Sequence, residues 1–260
     1  MSYLQAVLMG IIEGLTEYLP ISSTFHEITF ASILAIPTTE FVKLFEVVIQ
    51  SGAILSVFIL YFPLLFRDRT LLKNTFVSFI PTAVLGIILY KVVKDVFLVN
   101  VALRLSVFAL VGVIFILFEY FVKAKKISLT RSVQGITLHE AFLIGIIQAI
   151  AFIPGVSRSG AVIVGMMFLR YKRDEAAKYS FLLSIPTIFA ASAYDMYKAK
   201  DLLLTSSSSF LILLVGFIAA FMSSFVVIKW FLTYLKTRTL TVFGIYRIVL
   251  TMVILALGFY

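Results

Sequence analysis

Apolar residues in this chain come in long runs separated by short polar breaks, and the lengths of those runs set the predicted elements. A helix needs about 20 mostly apolar residues to cross the hydrocarbon of a bilayer. Six segments meet that requirement, roughly 41–66, 75–93, 96–122, 176–197, 210–235 and 240–259. Two regions do not. Residues 3–36 hold two apolar pieces around 20-PISSTFHE-27, and residues 138–169 hold two more around 154-PGVSRSG-160. Each piece is short for a crossing, and each break is polar. Backbone that leaves a helix at membrane depth survives only where protein or a water-filled cavity surrounds it. Each region therefore predicts a re-entrant helical hairpin with its polar tip inside the membrane.

The two hairpins are related in sequence. Gly10-Ile11-Ile12 recurs as Gly145-Ile146-Ile147, Glu13 pairs with Gln148, and Ser22-Ser23-Thr24 recurs as Ser157-Arg158-Ser159. These matches share an offset of 135 residues, with Pro20 and Pro154 one position out of step. Each hairpin precedes three spans. The expected fold is an all-α integral membrane protein, one polytopic domain over 1–260 with repeat halves of about 1–130 and 131–260. Three spans per half is an odd number, so the second half runs inverted with respect to the first. Inverted repeats with interrupted helices build midplane sites in many transporters.

Composition narrows the class. Hydrophobic residues make up 62% and charged residues 13%, with a mean hydropathy of +1.09, which excludes a water-soluble domain. With no cysteine, a disulfide scaffold, a zinc-thiolate site and a cysteine nucleophile are all excluded. The net charge of +9 does not indicate nucleic acid, because the basic residues occupy short breaks such as 67-RDRTLLK-73, 123-KAKK-126 and 170-RYKR-173. Alternating the six spans places Arg67, Arg69, Lys73, Lys123, Lys125, Lys126, Arg131, Arg170, Lys172, Arg173, Lys236 and Arg238 on one side. The other side receives Lys43, Lys91, Lys94, Lys198 and Lys200. The richer side is predicted to be cytoplasmic, with both termini outside. The first basic residue is Lys43, so no charged leader precedes the first apolar segment, which is expected to stay in the mature chain.

Ionisable groups within membrane segments are costly and usually functional. The first hairpin carries Glu13 and Glu17 on one helix face, then Ser22, Ser23, Thr24 and His26. The second carries Gln148, then Ser157, Arg158, Ser159 and Gly160. Brought together, these residues suit a phosphoryl group. The arginine binds it bidentately, hydroxyls and free N–H groups hold its oxygens, and a hydroxyl can attack. Helix-capping serines and an arginine that only pairs with a glutamate are the bland readings of the same residues. Glu46 and Gln50 form another polar pair that braces the site or simply packs. Arg104, Arg247 and Glu119 are assigned to interfaces or structural pairs. A phosphate-loop reading of 155-GVSRSG-160 fails because Ala161 stands where lysine is required, and His139-Glu140 lacks the second histidine of a zincin helix.

At 13-EGLTEYLPISSTFH-26 and 153-IPGVSRSGA-161, supported by 45-FEVVIQSGAIL-55 and 175-EAAKYSFLLSIP-186, the sequence resembles the undecaprenyl-diphosphate phosphatase family. This is the bacitracin-resistance type of integral membrane phosphatase, and the resemblance extends over essentially the whole chain. It implies hydrolysis of the C55 polyprenyl diphosphate to its monophosphate, recycling the lipid carrier of cell-wall synthesis in a bacterial plasma membrane. In the family's terms Glu13 and Glu17 form the acidic motif, His26 is the motif histidine, Ser23 the nucleophile and Arg158 the phosphate-binding arginine. Two positions depart from the pattern: Phe25 stands where glycine is usual, and Glu27 where an apolar residue is usual.

Residues and resemblance together give a mechanistic expectation. Arg158, with Ser157 and Ser159, grips the terminal phosphate; Ser23 attacks; Glu17 or His26 takes its proton. Glu13 and Glu17 alternatively hold a divalent cation, Mg²⁺ or Ca²⁺, in line with the metal dependence that the resemblance implies. The expected partners are the polyprenyl diphosphate and membrane lipid, without nucleic acid, and a homodimer is compatible with this reading. The competing class is a carrier of polyprenyl phosphate or a small anion using the same midplane site.

Overall fold

The computed structural model describes residues 1–92, 100–198 and 207–258, and these form an all-helical bundle. Its helices are α1 (Tyr3–Thr16), α2 (Ser23–Ile33), α3 (Glu40–Arg67), α4 (Arg69–Val92) and α5 (Val101–Lys123), followed by α6 (Leu138–Ala149), α7 (Arg158–Phe168), α8 (Arg173–Lys198), α9 (Ser207–Thr237) and α10 (Thr241–Leu257). Polar side chains start them where the apolar runs begin. Ser2 with Gln5 and Thr137 with Glu140 make reciprocal capping boxes at α1 and α6. Thr39 and Asn100 cap α3 and α5 through the N–H groups of Val42 and Leu103.

Among the described residues, four helices are long and apolar enough to cross a bilayer: Glu40–Arg67, Arg69–Leu89, Val101–Lys123 and Phe210–Thr237. These four coincide with the predicted spans at 41–66, 75–93, 96–122 and 210–235. The segment at 176–197 lies in α8, which packs against α3, α4, α7 and α9 and carries Ser180, Ser184, Thr187 and Ser192. A helix enclosed by other helices has no need of an all-apolar surface. The segment at 240–259 is the 17-residue α10. The end of the 75–93 span and the start of the 96–122 span fall outside the described residues, as do Lys94 and Lys200.

The four short pieces are helices too: α1 and α2 in the first region, α6 and α7 in the second. Their local geometry recurs at the offset seen in sequence. Ser2 and Thr137, the two capping-box residues, are 135 positions apart, as are the starts of α2 and α7. The left-handed residues Ser22 (φ 65°) and Ser157 (φ 75°) keep the same spacing, as do Ala35 (φ 50°) and Arg170 (φ 69°). α1 packs along α9, while α6 packs along α4. Gly10 and Gly14 allow the first approach, since a Cβ on either would run into the α9 backbone; Gly145 does the same for α6 against Ser78 of α4.

Tertiary contacts gather one end of the bundle. Arg173 pairs with Glu119, whose Oε1 also accepts the Leu240 N–H at 2.9 Å. Asn74 donates to the Ile136 carbonyl at 2.8 Å, and the Val133 N–H to Glu175 at 2.8 Å. Arg131 forms a bidentate pair with Glu140, and its backbone bridges to Tyr171. The start of α4, the end of α5, the 131–137 connection, the α7–α8 turn and the α9–α10 turn are thereby brought together. These segments carry most of the twelve basic residues that the sequence assigned to one side. Glu119 is a structural pair, as expected.

Candidate active site

The polar breaks at 17–22 and 153–157 meet in the middle of the bundle, where they line a cavity of about 310 Å³. That is within the range of small-ligand sites. Glu17, Ser22, Ser23 and Thr24 come from the first break, Ser157 and Arg158 from the second, and Gln148 from α6. A short polar contact joins Glu17 and Ser23 across the first helix break. Ser23 Oγ donates to Glu17 Oε2 at 2.6 Å, the distance expected of a hydroxyl and the base that would deprotonate it. Ser23 opens α2 and Glu17 closes α1, so the turn at 17–22 folds the carboxylate back over the hydroxyl.

Arg158, the first residue of α7, joins the second hairpin to this pair. Its Nη2 donates to Glu17 Oε1 at 3.0 Å and its Nη1 to the Ser180 carbonyl at 2.9 Å. Among the described residues its Nε has no hydrogen-bond partner. The guanidinium also lies 6.0 Å from the ring of Tyr18, whose hydroxyl is fixed on the Ala53 carbonyl at 3.0 Å. Both oxygens of Glu17 are thus engaged, one by a hydroxyl and one by a cation.

The remaining candidates divide. Ser157 caps α7 by accepting the Gly160 N–H at 3.2 Å, and Ser159 donates to the Leu19 carbonyl at 2.9 Å, tying one tip to the other. For these two the structural reading accounts for the contacts. Gly160 packs under Phe115, where a Cβ would come within 2.7 Å of the ring. Ser22 makes no side-chain cap to α2, so the first N–H groups of α2 carry no side-chain cap beside Ser23 and Thr24. Gln148 donates to Thr82 and Thr187, each at 3.0 Å, and keeps a buried Oε1 without a donor.

His26 is not brought to Ser23. Its Nδ1 lies 2.8 Å from the Ser22 carbonyl, an acceptor, which makes Nδ1 the donor and leaves Nε2 to accept from the Tyr246 hydroxyl at 2.7 Å. The imidazole stacks on Tyr246 with centroids 5.7 Å apart. Of the two bases considered for Ser23, the geometry places Glu17 there. Phe25 departs from the motif without backbone strain: it lies inside α2 and stacks on Phe108 at 3.9 Å, while the positive φ falls at Ser22 instead.

Glu13 lies one helical turn before Glu17 on α1. Glu13 is fully buried with its carboxyl group against that of Glu27, and among the described residues no N–H or hydroxyl donates to either Glu13 oxygen. Among the described residues no group of three or more acidic or histidine side chains gathers within reach of one ion.

Two features escaped the sequence reading. Arg247, expected at an interface or in a structural pair, is completely buried at the centre. Its guanidinium donates to the carbonyls of Phe108 (2.9 Å), Pro20 (3.0 Å), Val156 (3.5 Å) and Gly155, and so holds both tips. Thr82 and Thr187 each follow a helix proline, in 80-IPT-82 and 185-IPT-187. That repeated tripeptide was the available signal for them; a lone arginine in an apolar helix was the signal for Arg247.

Comparison with known proteins decides the family. The family model described as "Bacitracin resistance protein BacA" matches residues 6–253. The chain belongs to the BacA family. An undecaprenyl-diphosphatase of Aquifex aeolicus (strain VF5) is 44% identical over 249 residues, covering 96% of each chain. One from Sulfurihydrogenibium sp. (strain YO3AOP1) is 44% identical over 250 residues, covering 96% of this chain and 97% of its own. One from Campylobacter fetus subsp. fetus (strain 82-40) is 41% identical over 253 residues, with 96% coverage of both. In this BacA-family chain the shared cavity sits where the two long motifs meet.

Proposed function

We propose that this BacA-family chain hydrolyses undecaprenyl diphosphate to undecaprenyl phosphate and inorganic phosphate. The 2.6 Å hydrogen bond from Ser23 to Glu17, with Arg158 on the other carboxylate oxygen, carries the proposal. A carrier needs to bind and release its cargo; it has no use for a hydroxyl held on a base.

In the reaction that this geometry supports, the terminal phosphate enters beside Ser23. Its oxygens accept from the uncapped N–H groups at the start of α2 and from the Arg158 guanidinium, which lines the same cavity. Ser23 Oγ attacks the terminal phosphorus and passes its proton to Glu17 Oε2. The bond from that phosphorus to the bridging oxygen breaks, and the prenyl monophosphate leaves with the proton. Water then attacks the phosphoserine, Glu17 again takes the proton, and inorganic phosphate is released with Ser23 restored. Arg158 and the α2 amides stabilise the charge gathered on the non-bridging oxygens. Glu13, with Glu27 beside it, presents the buried carboxyl oxygens that would hold Mg²⁺ or Ca²⁺, since both oxygens of Glu17 already have donors. Such a cation supplies charge neutralisation of the diphosphate when bound.

The recurrence of caps, helix starts and left-handed residues at one spacing supports an inverted repeat. The two short helix pairs then act as re-entrant hairpins within a single polytopic domain. The gathered basic end supports a cytoplasmic face there, a plasma-membrane location and both termini outside. Purified chain in detergent, supplied with undecaprenyl diphosphate, tests the function: phosphate release proportional to enzyme supports it, and intact substrate under conditions where the protein stays folded refutes it.

A further inference from the structure

At the corner where α3 ends and α4 begins, a cavity of about 520 Å³ opens away from the catalytic residues. Its apolar wall is Phe66, Leu72, Phe76 and Ile80, and its polar rim is Arg69 and Lys73. The two cations are one helical turn apart, so they point the same way, and the exposed Phe76 and Ile80 continue the same wall along α4. Asp68 spends its carboxylate on the Leu71 N–H at 2.8 Å. Among the described residues neither Arg69 nor Lys73 has an ion-pair or hydrogen-bond partner. Both also sit in the first turns of α4, a helix with no acidic residue in its first turn.

We infer that this corner is a binding site for an anionic phospholipid, with the headgroup phosphate between Arg69 and Lys73 and an acyl chain along Phe76 and Ile80. Charge complementarity selects the occupant: a zwitterionic lipid brings an ammonium against two unpaired cations, and a water-soluble anion leaves the aromatic wall uncovered. Basic pockets between membrane helices at the cytoplasmic side recognise acidic headgroups in this manner. The site is separate from Glu17, Ser23 and Arg158 and does not depend on the hydrolytic reading.

Native mass spectrometry of the purified full chain, mixed with phosphatidylglycerol or phosphatidylcholine of equal chain length, tests it. Wild type should retain phosphatidylglycerol preferentially, and higher ammonium acetate should weaken that preference. R69Q/K73Q should bind phosphatidylglycerol about thirtyfold less, which is about 2 kcal/mol at roughly 1 kcal/mol per cation. R69K/K73R should keep it, which separates charge from folding. Equal retention of the two lipids by wild type, or an undiminished preference in R69Q/K73Q, overturns the site. So does a dimer that excludes phosphatidylglycerol, because a second copy would then cover the corner. Phosphate release by R69Q/K73Q in detergent should match wild type, so that a failed lipid site and a failed phosphatase give different results.

Discussion

Arg247 is the residue whose removal should do most damage without touching the reacting atoms. It lies on α10, is fully buried, and donates to carbonyls of α5 and of both tips. Those tips otherwise join through few bonds, Ser159 to Leu19 and Arg158 to Glu17 among them. A hydrogen bond from a charged donor contributes about 1.5–3 kcal/mol, and a buried carbonyl left unpaired costs about 1–3 kcal/mol. Arg247→Met strips donors from carbonyls on three elements at once. Relaxation and water entry offset part of that loss, so the expected destabilisation is about 3–5 kcal/mol, as for breaking a buried charged contact. Arg247→Lys keeps the charge, but three ammonium donors on one nitrogen cannot span carbonyls that a planar fork reaches from opposite sides. It should stay folded while kcat falls at least about tenfold, since misplacing Ser23 relative to Arg158 by a fraction of an ångström raises the barrier by about 1.4 kcal/mol or more. The single tryptophan of the chain reports thermal unfolding in detergent, and phosphate release reports turnover. An Arg247→Met protein that melts and turns over like wild type would refute the clamp.

Further outcomes follow from the same geometry. Arg158→Lys should lose more than about tenfold in turnover, because a point charge cannot serve Glu17, the Ser180 carbonyl and a phosphate oxygen together; near-wild-type rates would return Arg158 to a purely structural role. Cysteines placed at Ser2 and Ser128 in this cysteine-free chain should label from opposite faces of intact cells. An impermeant reagent that reaches Ser128→Cys and not Ser2→Cys would reverse the topology.

The parts of the fold that depend on run length and chain punctuation were legible in the sequence. The polar breaks at Pro20 and Pro154 marked the ends of α1 and α6, and the offset of 135 residues anticipated the paired left-handed serines. The run at 176–197 marked α8, a helix packed among others that brings Thr187 to the cavity. At the centre, Glu17, Ser23 and Arg158 were named because carboxylate, hydroxyl and guanidinium within membrane segments are costly and their chemistry is complementary. The partners of His26 and Glu13 were not legible. Tyr246 lies 220 residues from His26, and Glu27 meets Glu13 only because α2 folds back beside α1. Such pairings depend on how helices pack, which periodicity along one helix does not encode.

The most direct test of the central claim is phosphate release from undecaprenyl diphosphate by wild type, Ser23→Ala, Glu17→Gln and the double variant, each confirmed folded in detergent. A nucleophile and its base act as one unit, so removing either removes the covalent route. Each single variant should fall to background, with the double variant scarcely lower. Substantial turnover by Ser23→Ala while Glu17→Gln is inactive would contradict the serine nucleophile and make the carboxylate itself, acting on water, the catalytic centre.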